Sequence, residues 1–250
     1  MTSIDELLRQ LKLGGAHEAL KSQRVQMTHY HELSFEERLQ CLLEHEITQR
    51  EQRKIQRLTK LAKFRLMASI EHIDYQSHRN LEKAKIRSLA QGEWLRQHQN
   101  ILITGATGCG KTYISCALGF AHCQQGFHVN YFRLKELLEM LTLAQAQGSY
   151  RKLLHKLQKT DLLIIDDWGL DSMTMEQRSN FLELIDTRYG YKSTLISSQL
   201  PVEHWHEMIG ESTHADAILD RLVHGSIKIE LHGESMRKIR NNLTSLENLG

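Results

Sequence analysis

The segment that most constrains the fold is a glycine-rich stretch, GATGCGKT, at residues 105–112. It follows a short apolar run at residues 101–103 and precedes a stretch in which apolar residues recur at helical spacing. The pattern G-x-x-x-x-G-K-[ST] between a strand and a helix is typical of a phosphate-binding loop, whose backbone N–H groups and following helix point at phosphate oxygens. The sequence therefore predicts an ATP site on a strand–loop–helix unit.

Each residue of this loop is a candidate for nucleotide binding. The set is Gly105, Ala106, Thr107, Gly108, Cys109, Gly110, Lys111 and Thr112. Lys111 is expected to reach the β- and γ-phosphates and to act in catalysis, and the Thr112 hydroxyl is expected to ligate Mg²⁺.

A second motif, LLIIDDWG at residues 162–169, combines a buried strand with two carboxylates at its end. Asp166 is predicted to hold Mg²⁺, and Asp167 is predicted to polarise the attacking water. Asp167 has two alternative interpretations, as a helix N-cap or as a residue that supports the metal ligands.

Two further segments supply candidates for catalysis. TLISSQLP, at residues 194–201, ends in polar residues, of which Gln199, with Ser198 behind it, could orient the water; an ordinary strand-end turn is the alternative. Arg221, before the last strand, could project into a neighbouring subunit's ATP site, or it could pair with Asp220 or Asp216 on its own surface. Arg237 is a weaker candidate for a second γ-phosphate sensor.

The pattern of elements predicts an α/β fold, a parallel sheet with helices on both faces. Strands are expected at residues 101–103, 128–132, 162–166, 194–198 and 226–231, the last at a sheet edge, with helices at 111–124, 134–145 and 175–189. Residues 1–98 are predicted to be almost continuous helix, broken at Gly14-Gly15. Ser34 and Glu37 are expected to form a capping box.

Basic residues are concentrated in the N-terminal part of the chain. Residues 1–98 carry 17 basic and 13 acidic side chains, and residues 50–65 contain seven basic residues and one acid. The residues predicted to contact DNA are Arg50, Arg53, Lys54, Arg57, Lys60 and Lys63. A basic helix can lie along a nucleic-acid backbone, although a solvated charged face is the alternative.

Cysteine usage and hydropathy favour a reduced, cytoplasmic protein. None of the four cysteines has C-x-x-C spacing, and no apolar run approaches the roughly 18 residues that a membrane span needs. No membrane partner is expected.

Four segments together resemble the IstB transposition helper ATPases of bacterial insertion sequences: GATGCGKT, LLIIDDWG, TLISSQLP and ILDRLVHGSIKIEL (218–231). These ATPases belong to the AAA+ superfamily, near DnaC and DnaA. The resemblance implies a helical N-terminal domain for DNA binding and oligomerisation, at residues 1–68, and an AAA+ ATPase domain at 69–250. It also implies ATP-dependent assembly of a homo-oligomer on double-stranded DNA, hydrolysis of ATP and assistance to a partner transposase.

Three other functions remain open from the sequence. A helicase loader would share the chemistry but have a different partner. A nucleotide switch would bind ATP and DNA but hydrolyse ATP poorly, because Asp167 is shorter than the Glu that many P-loop ATPases carry at this position. A small-molecule kinase is the least favoured, because no arginine-rich lid region follows the helices.

Overall fold

The computed structural model of the protein describes residues 2–26, 30–75, 79–233 and 235–236. These residues form two compact units, of which the first ends at Arg57 and the second begins at Leu58. Within the described residues, no helix is both long enough and apolar enough to cross a membrane.

The first unit is helical. Its elements are α1 (Ile4–Gln10), α2 (Gly14–Val25) and the long helix α3 (Phe35–Ala62), which continues past the end of this unit. The predicted capping box at the start of α3 is confirmed: the Ser34 amide donates to Glu37 Oε2 at 2.7 Å, and the Glu37 amide donates to Ser34 Oγ at 3.2 Å.

The glycine pair has a different position from the one predicted. Gly14 and Gly15 begin α2 and do not end α1. The carboxylate of Glu46 accepts hydrogen bonds from the Gly15 and Ala16 amides, at 2.6 and 3.0 Å, and so caps α2. A Cβ atom on Gly15 would lie 2.8 Å from the Cα atom of Glu46, so glycine allows the two helices this close approach.

The prediction of almost continuous helix over residues 1–98 is wrong. After Lys63, which has φ +54°, the described residues up to 82 contain only a 3₁₀ turn at Ile70–His72, and α4 (Lys83–Ala90) and α5 (Glu93–Arg96) follow. Side chains of this irregular segment, including Phe64 and Ile73, pack on the core of the second unit. Tertiary packing here overrides local helix propensity.

The second unit contains a five-stranded parallel sheet, which confirms the predicted fold class. Its strands are β1 (Ile101–Gly105), β2 (Val129–Arg133), β3 (Leu162–Trp168), β4 (Ser193–Ser198) and β5 (Ile227–Leu231). The remaining helices are α6 (Lys111–Gln124), α7 (Leu134–Ala146), α8 (Tyr150–Gln158), α9 (Met175–Arg188), α10 (Trp205–Ile209) and α11 (Ser212–Val223), with a 3₁₀ turn at Val202–His204.

The strand order β2-β3-β4-β1-β5 brings the ends of three motif-bearing strands together. Successive residues of β1 and β3 point into two hydrophobic cores, one on each face; Ile103 and Ile164 belong to one core, and Leu102 and Leu163 to the other. Strand β5 lies at an edge, as predicted. Because all strands are parallel, the carboxyl ends of β1, β3 and β4 meet at one side of the sheet, where a ligand is expected to bind.

Candidate functional site

The glycine-rich loop connects β1 to α6 and turns sharply. Gly105, Gly108 and Gly110 have φ values of +146°, +82° and +97°, a region that residues with a side chain rarely adopt. A Cβ atom on Gly105 would also lie 2.4 Å from the carbonyl oxygen of Leu231. The glycines of the motif are therefore required by the backbone path, and the loop leads directly into the amino terminus of α6.

Lys111 folds back over its own loop. Its Nζ atom donates to the carbonyl oxygens of Gly105 and Ala106, at 2.7 and 2.9 Å, and the residue is 8% exposed. Burial lowers the pKa of the Lys111 ammonium, and the negative charges of Asp166 and Asp167 oppose that shift. The loop thus holds a cation at the position where the motif requires one.

Asp166 is the centre of a cluster of hydroxyl groups. It is 1% exposed, and its carboxylate accepts hydrogen bonds from Thr112 Oγ1 at 2.8 Å, from Tyr131 Oη at 2.6 Å and from Ser197 Oγ. Burial and the hydrogen bond to Asp166 raise the pKa of Tyr131. The two predicted Mg²⁺ ligands, Thr112 and Asp166, are therefore in contact, and their oxygen donors are of the kind that Mg²⁺ prefers.

Asp167 leaves the regular path of the strand. Its φ is +58°, and the register between β3 and β4 shifts between Ile165 and Trp168. A left-handed conformation at a residue other than glycine costs about 1–3 kcal/mol. The Asp167 carboxylate, 27% exposed, lies 3.3 Å from Arg65 Nη1 and 3.5 Å from Arg133 Nε.

The end of β4 contributes one side chain to the loop and one to the hydroxyl groups around Asp166. Gln199 Oε1 accepts a hydrogen bond from Thr107 Oγ1 at 2.5 Å, so this residue lies against the phosphate loop. Ser198, the second choice from sequence, instead donates to the Trp168 carbonyl oxygen at 2.9 Å and accepts from the Leu200 amide. Ser197 contacts Asp166 instead, which sequence reasoning missed.

Of these groups, Thr107, Lys111, Thr112, Asp167 and Gln199 line one cleft of about 390 Å³, and the buried Asp166 contacts the cleft wall through Thr112. Its wall includes residues that no motif predicted: Arg65, Leu66, His72, Asp74, Arg79, Tyr113, Arg133 and Met236. Arg79 is 4% exposed and donates to the Cys109 carbonyl oxygen at 2.5 Å, so it braces the loop from outside. The Met236 amide donates to the Gly108 carbonyl oxygen at 3.0 Å, so the chain after β5 returns to this loop.

The sequence of most of the chain matches the model of a known protein family. Residues 6–244 match the model described as IstB-like ATP binding protein. The chain belongs to the IstB-like ATP binding protein family. It is 44% identical over 207 residues to an insertion-sequence ATP-binding protein of Sinorhizobium fredii, covering 83% of this chain and 84% of that protein. It is 31% identical over 206 residues to the corresponding IS21 protein of Pseudomonas aeruginosa, covering 82% and 78% of the two chains.

Solved structures show that this IstB-like chain has an AAA+ fold. A DnaC helicase loader matches with a TM-score of 0.57 and 19% identity, covering 66% of this chain and 97% of that chain. The AMPPCP-bound DnaA from Aquifex aeolicus matches with a TM-score of 0.58 and 18% identity, covering 73% of this chain and 56% of that chain.

Arg221 lies away from the cleft of this IstB-like protein. Its main-chain carbonyl accepts a hydrogen bond from Asn100, which precedes β1, so it lies near the amino ends of the strands. Its Nε donates to Asp186 Oδ1 at 2.7 Å, so its partner is neither Asp220 nor Asp216. Arg237 lies outside the described residues.

The basic residues predicted to contact DNA differ in their surroundings. Arg50 is paired with Glu46, Nε to Oε1, at 2.6 Å. Lys63 lies beyond the last residue of α3. The other four residues, Arg53, Lys54, Arg57 and Lys60, are exposed on α3. These four and the equally exposed Lys63 form no ion pair within the described residues, so their positive charge is free to meet a ligand.

Proposed function

We propose that this protein binds ATP with Mg²⁺ in the cleft and hydrolyses it. The observation that carries the proposal is the 2.8 Å contact between Thr112 Oγ1 and Asp166 Oδ2 beside the phosphate loop. In this arrangement the Thr112 hydroxyl and the Asp166 carboxylate would hold Mg²⁺, which would neutralise charge on the phosphates. Lys111 and the loop amides would bind the β- and γ-phosphates.

The hydrolytic step would use the carboxylate of Asp167. This group lies in the same cleft as Lys111 and Thr112. It would take a proton from the water that attacks the γ-phosphorus, and the bond from that phosphorus to the ADP leaving group would break. Gln199 would orient the water from the end of the neighbouring strand β4. The phosphate loop would stabilise the charge that develops on the transferred group.

Direct titration with an ATP analogue tests the binding half of this proposal. Lys111→Ala should weaken affinity by at least tenfold, because charge-assisted hydrogen bonds contribute about 1.5–3 kcal/mol each. Lys228→Ala, at an exposed lysine of the edge strand β5, is the matched control and should leave affinity unchanged. An unaltered affinity of the Lys111 variant would show that the loop does not hold phosphate.

The proposal extends to double-stranded DNA and a transposase as partners. Its support is membership of the IstB-like family, the insertion-sequence origin of the relatives, and the exposed basic residues of α3. We propose that residues 1–68 bind DNA and mediate oligomerisation, and that residues 69–250 form the ATPase domain. In the homo-oligomer Arg221 would act on the ATP of a neighbouring subunit.

A salt titration of affinity for duplex DNA tests the role of α3. Each phosphate neutralised by a Lys or Arg contributes about −0.9 to the slope of log affinity against log salt. Replacing Arg53, Lys54 and Arg57 with Ala should flatten the slope by about 2 to 3 units. The matched control replaces Arg9, Lys12 and Lys21, three exposed basic residues of the same unit. Equal slopes for all three proteins would exclude α3 as the contact.

One observation favours a second candidate, a nucleotide switch that binds ATP and hydrolyses it slowly. Arg65 and Arg133 both lie within 3.5 Å of the Asp167 carboxylate, so the group expected to accept the proton is already paired. Single-turnover hydrolysis with saturating DNA separates the candidates. A switch would remain slow with DNA, whereas the proposed ATPase would accelerate.

A further inference from the structure

The surface of α8 carries positive charge without acidic neighbours in its own segment. Residues 149–160 contain Arg151, Lys152, Lys156 and Lys159 together with His155, and no Asp or Glu. In the whole chain, by contrast, 32 basic residues are balanced by 30 acidic ones. All five basic side chains are exposed, and within the described part of the chain none of them forms an ion pair.

Helical geometry places these residues on one side of α8. At 3.6 residues per turn, positions 151, 152, 155 and 156 fall within less than half of the helix circumference, and Lys159, the residue directly after α8, keeps a right-handed helical backbone and continues the same side. Leu154 and Leu157, on the other side, are buried in the core. We call the exposed side the α8 basic face; it is formed by Arg151, Lys152, His155, Lys156 and Lys159.

The acidic side chains at the two ends of this segment are already engaged. Asp161 Oδ1 accepts a hydrogen bond from Lys192 at 2.5 Å, and Glu183 Oε2 accepts one from the Tyr150 hydroxyl at 2.8 Å. Lys192 neutralises Asp161, whereas the uncharged Tyr150 hydroxyl does not neutralise Glu183, so of these two carboxylates only Glu183 opposes the charge of the four Lys and Arg side chains. Exposed like charges at this spacing repel one another, and binding of an anion would relieve the repulsion.

The shape of the surface suits an extended polyanion. Ser149, Lys152, Leu153, His155, Lys156 and Lys159 line an open groove of about 520 Å³. Among the described residues that line this groove, the half-buried Leu153 is the one with an apolar side chain. Lys is depleted in protein–protein interfaces, whose centres are apolar, so a protein partner fits this groove poorly. A sugar–phosphate backbone, which presents regularly spaced negative charges, fits it well.

We infer that the α8 basic face is a second DNA-binding surface, which contacts the phosphate backbone of duplex DNA from the ATPase unit. The inference rests on the proposed DNA-binding function. It adds a surface that belongs to the unit beginning at Leu58, whereas Arg53, Lys54 and Arg57 belong to the unit ending at Arg57. Contacts of this type bind without reading base sequence.

The test is a salt titration with a fluorescein-labelled 40-base-pair duplex of random sequence. Replacing Lys152, Lys156 and Lys159 with Gln should flatten the slope of log affinity against log salt by about 2 to 3 units, and Lys156→Gln alone by about one unit. The matched control replaces Lys83, Arg87 and Lys228 with Gln; these residues are exposed elsewhere in the same unit, and the change in net charge is identical. Unchanged affinity for an ATP analogue would confirm that each variant is folded.

A flatter slope for the α8 variants, with a wild-type slope for the control, supports the inference. Equal flattening in the control would overturn it, because net charge alone would then explain the effect. A wild-type slope for the α8 variants, together with reduced binding to the transposase, would also overturn it and assign the face to a protein. If the wild-type protein does not bind the duplex at all, the proposed DNA-binding function fails as well.

Discussion

Arg65 Nη1 lies 3.3 Å from Asp167 Oδ2, and this contact joins the irregular segment after α3 to the end of β3. Arg65 is three residues beyond Ala62, the last residue of α3. The guanidinium is also 4.0 Å from the Asp166 carboxylate, so it lies between the proposed metal ligand and the proposed base. Asp167 would have to leave this contact before its carboxylate could engage an attacking water.

Arg65→Ala should therefore raise the rate of ATP hydrolysis measured without DNA. The Arg65 side chain is 35% exposed, and ion pairs with this exposure contribute up to about 1 kcal/mol, which corresponds to an increase of about fivefold or less. Arg65→Lys, which keeps the charge, is the control and should stay near the wild-type rate. A fall in rate would show that Arg65 serves the phosphates and does not restrain Asp167.

Asp167→Asn should leave ATP affinity intact and slow hydrolysis by about 10²- to 10⁴-fold, the usual contribution of a general base. Asn is the suitable replacement because it tolerates the left-handed backbone that Asp167 adopts at φ +58°. Asp171→Asn, at an exposed acid four residues later, is the control. Hydrolysis at the wild-type rate in the Asp167 variant would exclude Asp167 as the base.

The sequence was sufficient to predict the sheet, the glycine-rich turn between β1 and α6 and the proximity of Asp166 to this turn. Most of the strands are short apolar runs, and the motif of the loop consists of residues that are adjacent in the chain. It did not predict the hydroxyl of Tyr131 on Asp166, because that contact depends on how β2 lies against β3, with Arg133 opposite Asp166. Arg79 was missed for a different reason: it lies in an irregular segment without periodicity.

Asp167 shows a further limit of sequence reasoning. The motif places it directly after the predicted strand 162–166, but its φ of +58° and the register shift beside it come from the packing of β3 against β4. The contact with Arg65 joins residues 102 positions apart. Neither feature leaves a local pattern that could be read from the chain.

Tyr131→Phe should increase the Mg²⁺ concentration needed for half-maximal hydrolysis. The Tyr131 hydroxyl orients the Asp166 carboxylate at 2.6 Å, and loss of a group that supports a metal ligand typically weakens metal affinity by about 10- to 100-fold. Tyr150→Phe removes a hydroxyl that bonds Glu183 outside the cleft and is the control. If both variants need the same Mg²⁺ concentration for half-maximal hydrolysis, Asp166 does not hold the metal.

Arg221→Ala should reduce hydrolysis in DNA-bound assemblies while leaving nucleotide binding by isolated subunits unchanged. An arginine that stabilises the transition state from a neighbouring subunit increases the rate by about 10³–10⁵-fold. The Arg221–Asp186 ion pair, whose side chains are 28% and 58% exposed, contributes at most about 1 kcal/mol to the stability of the fold. Asp186→Asn breaks that pair but keeps the arginine, so it should retain activity.

Mixing the Arg221→Ala and Lys111→Ala proteins should restore turnover, because some interfaces then combine an intact loop with an intact arginine. Absence of rescue at every mixing ratio, or an equal loss in Asp186→Asn, would assign Arg221 to its own subunit's surface.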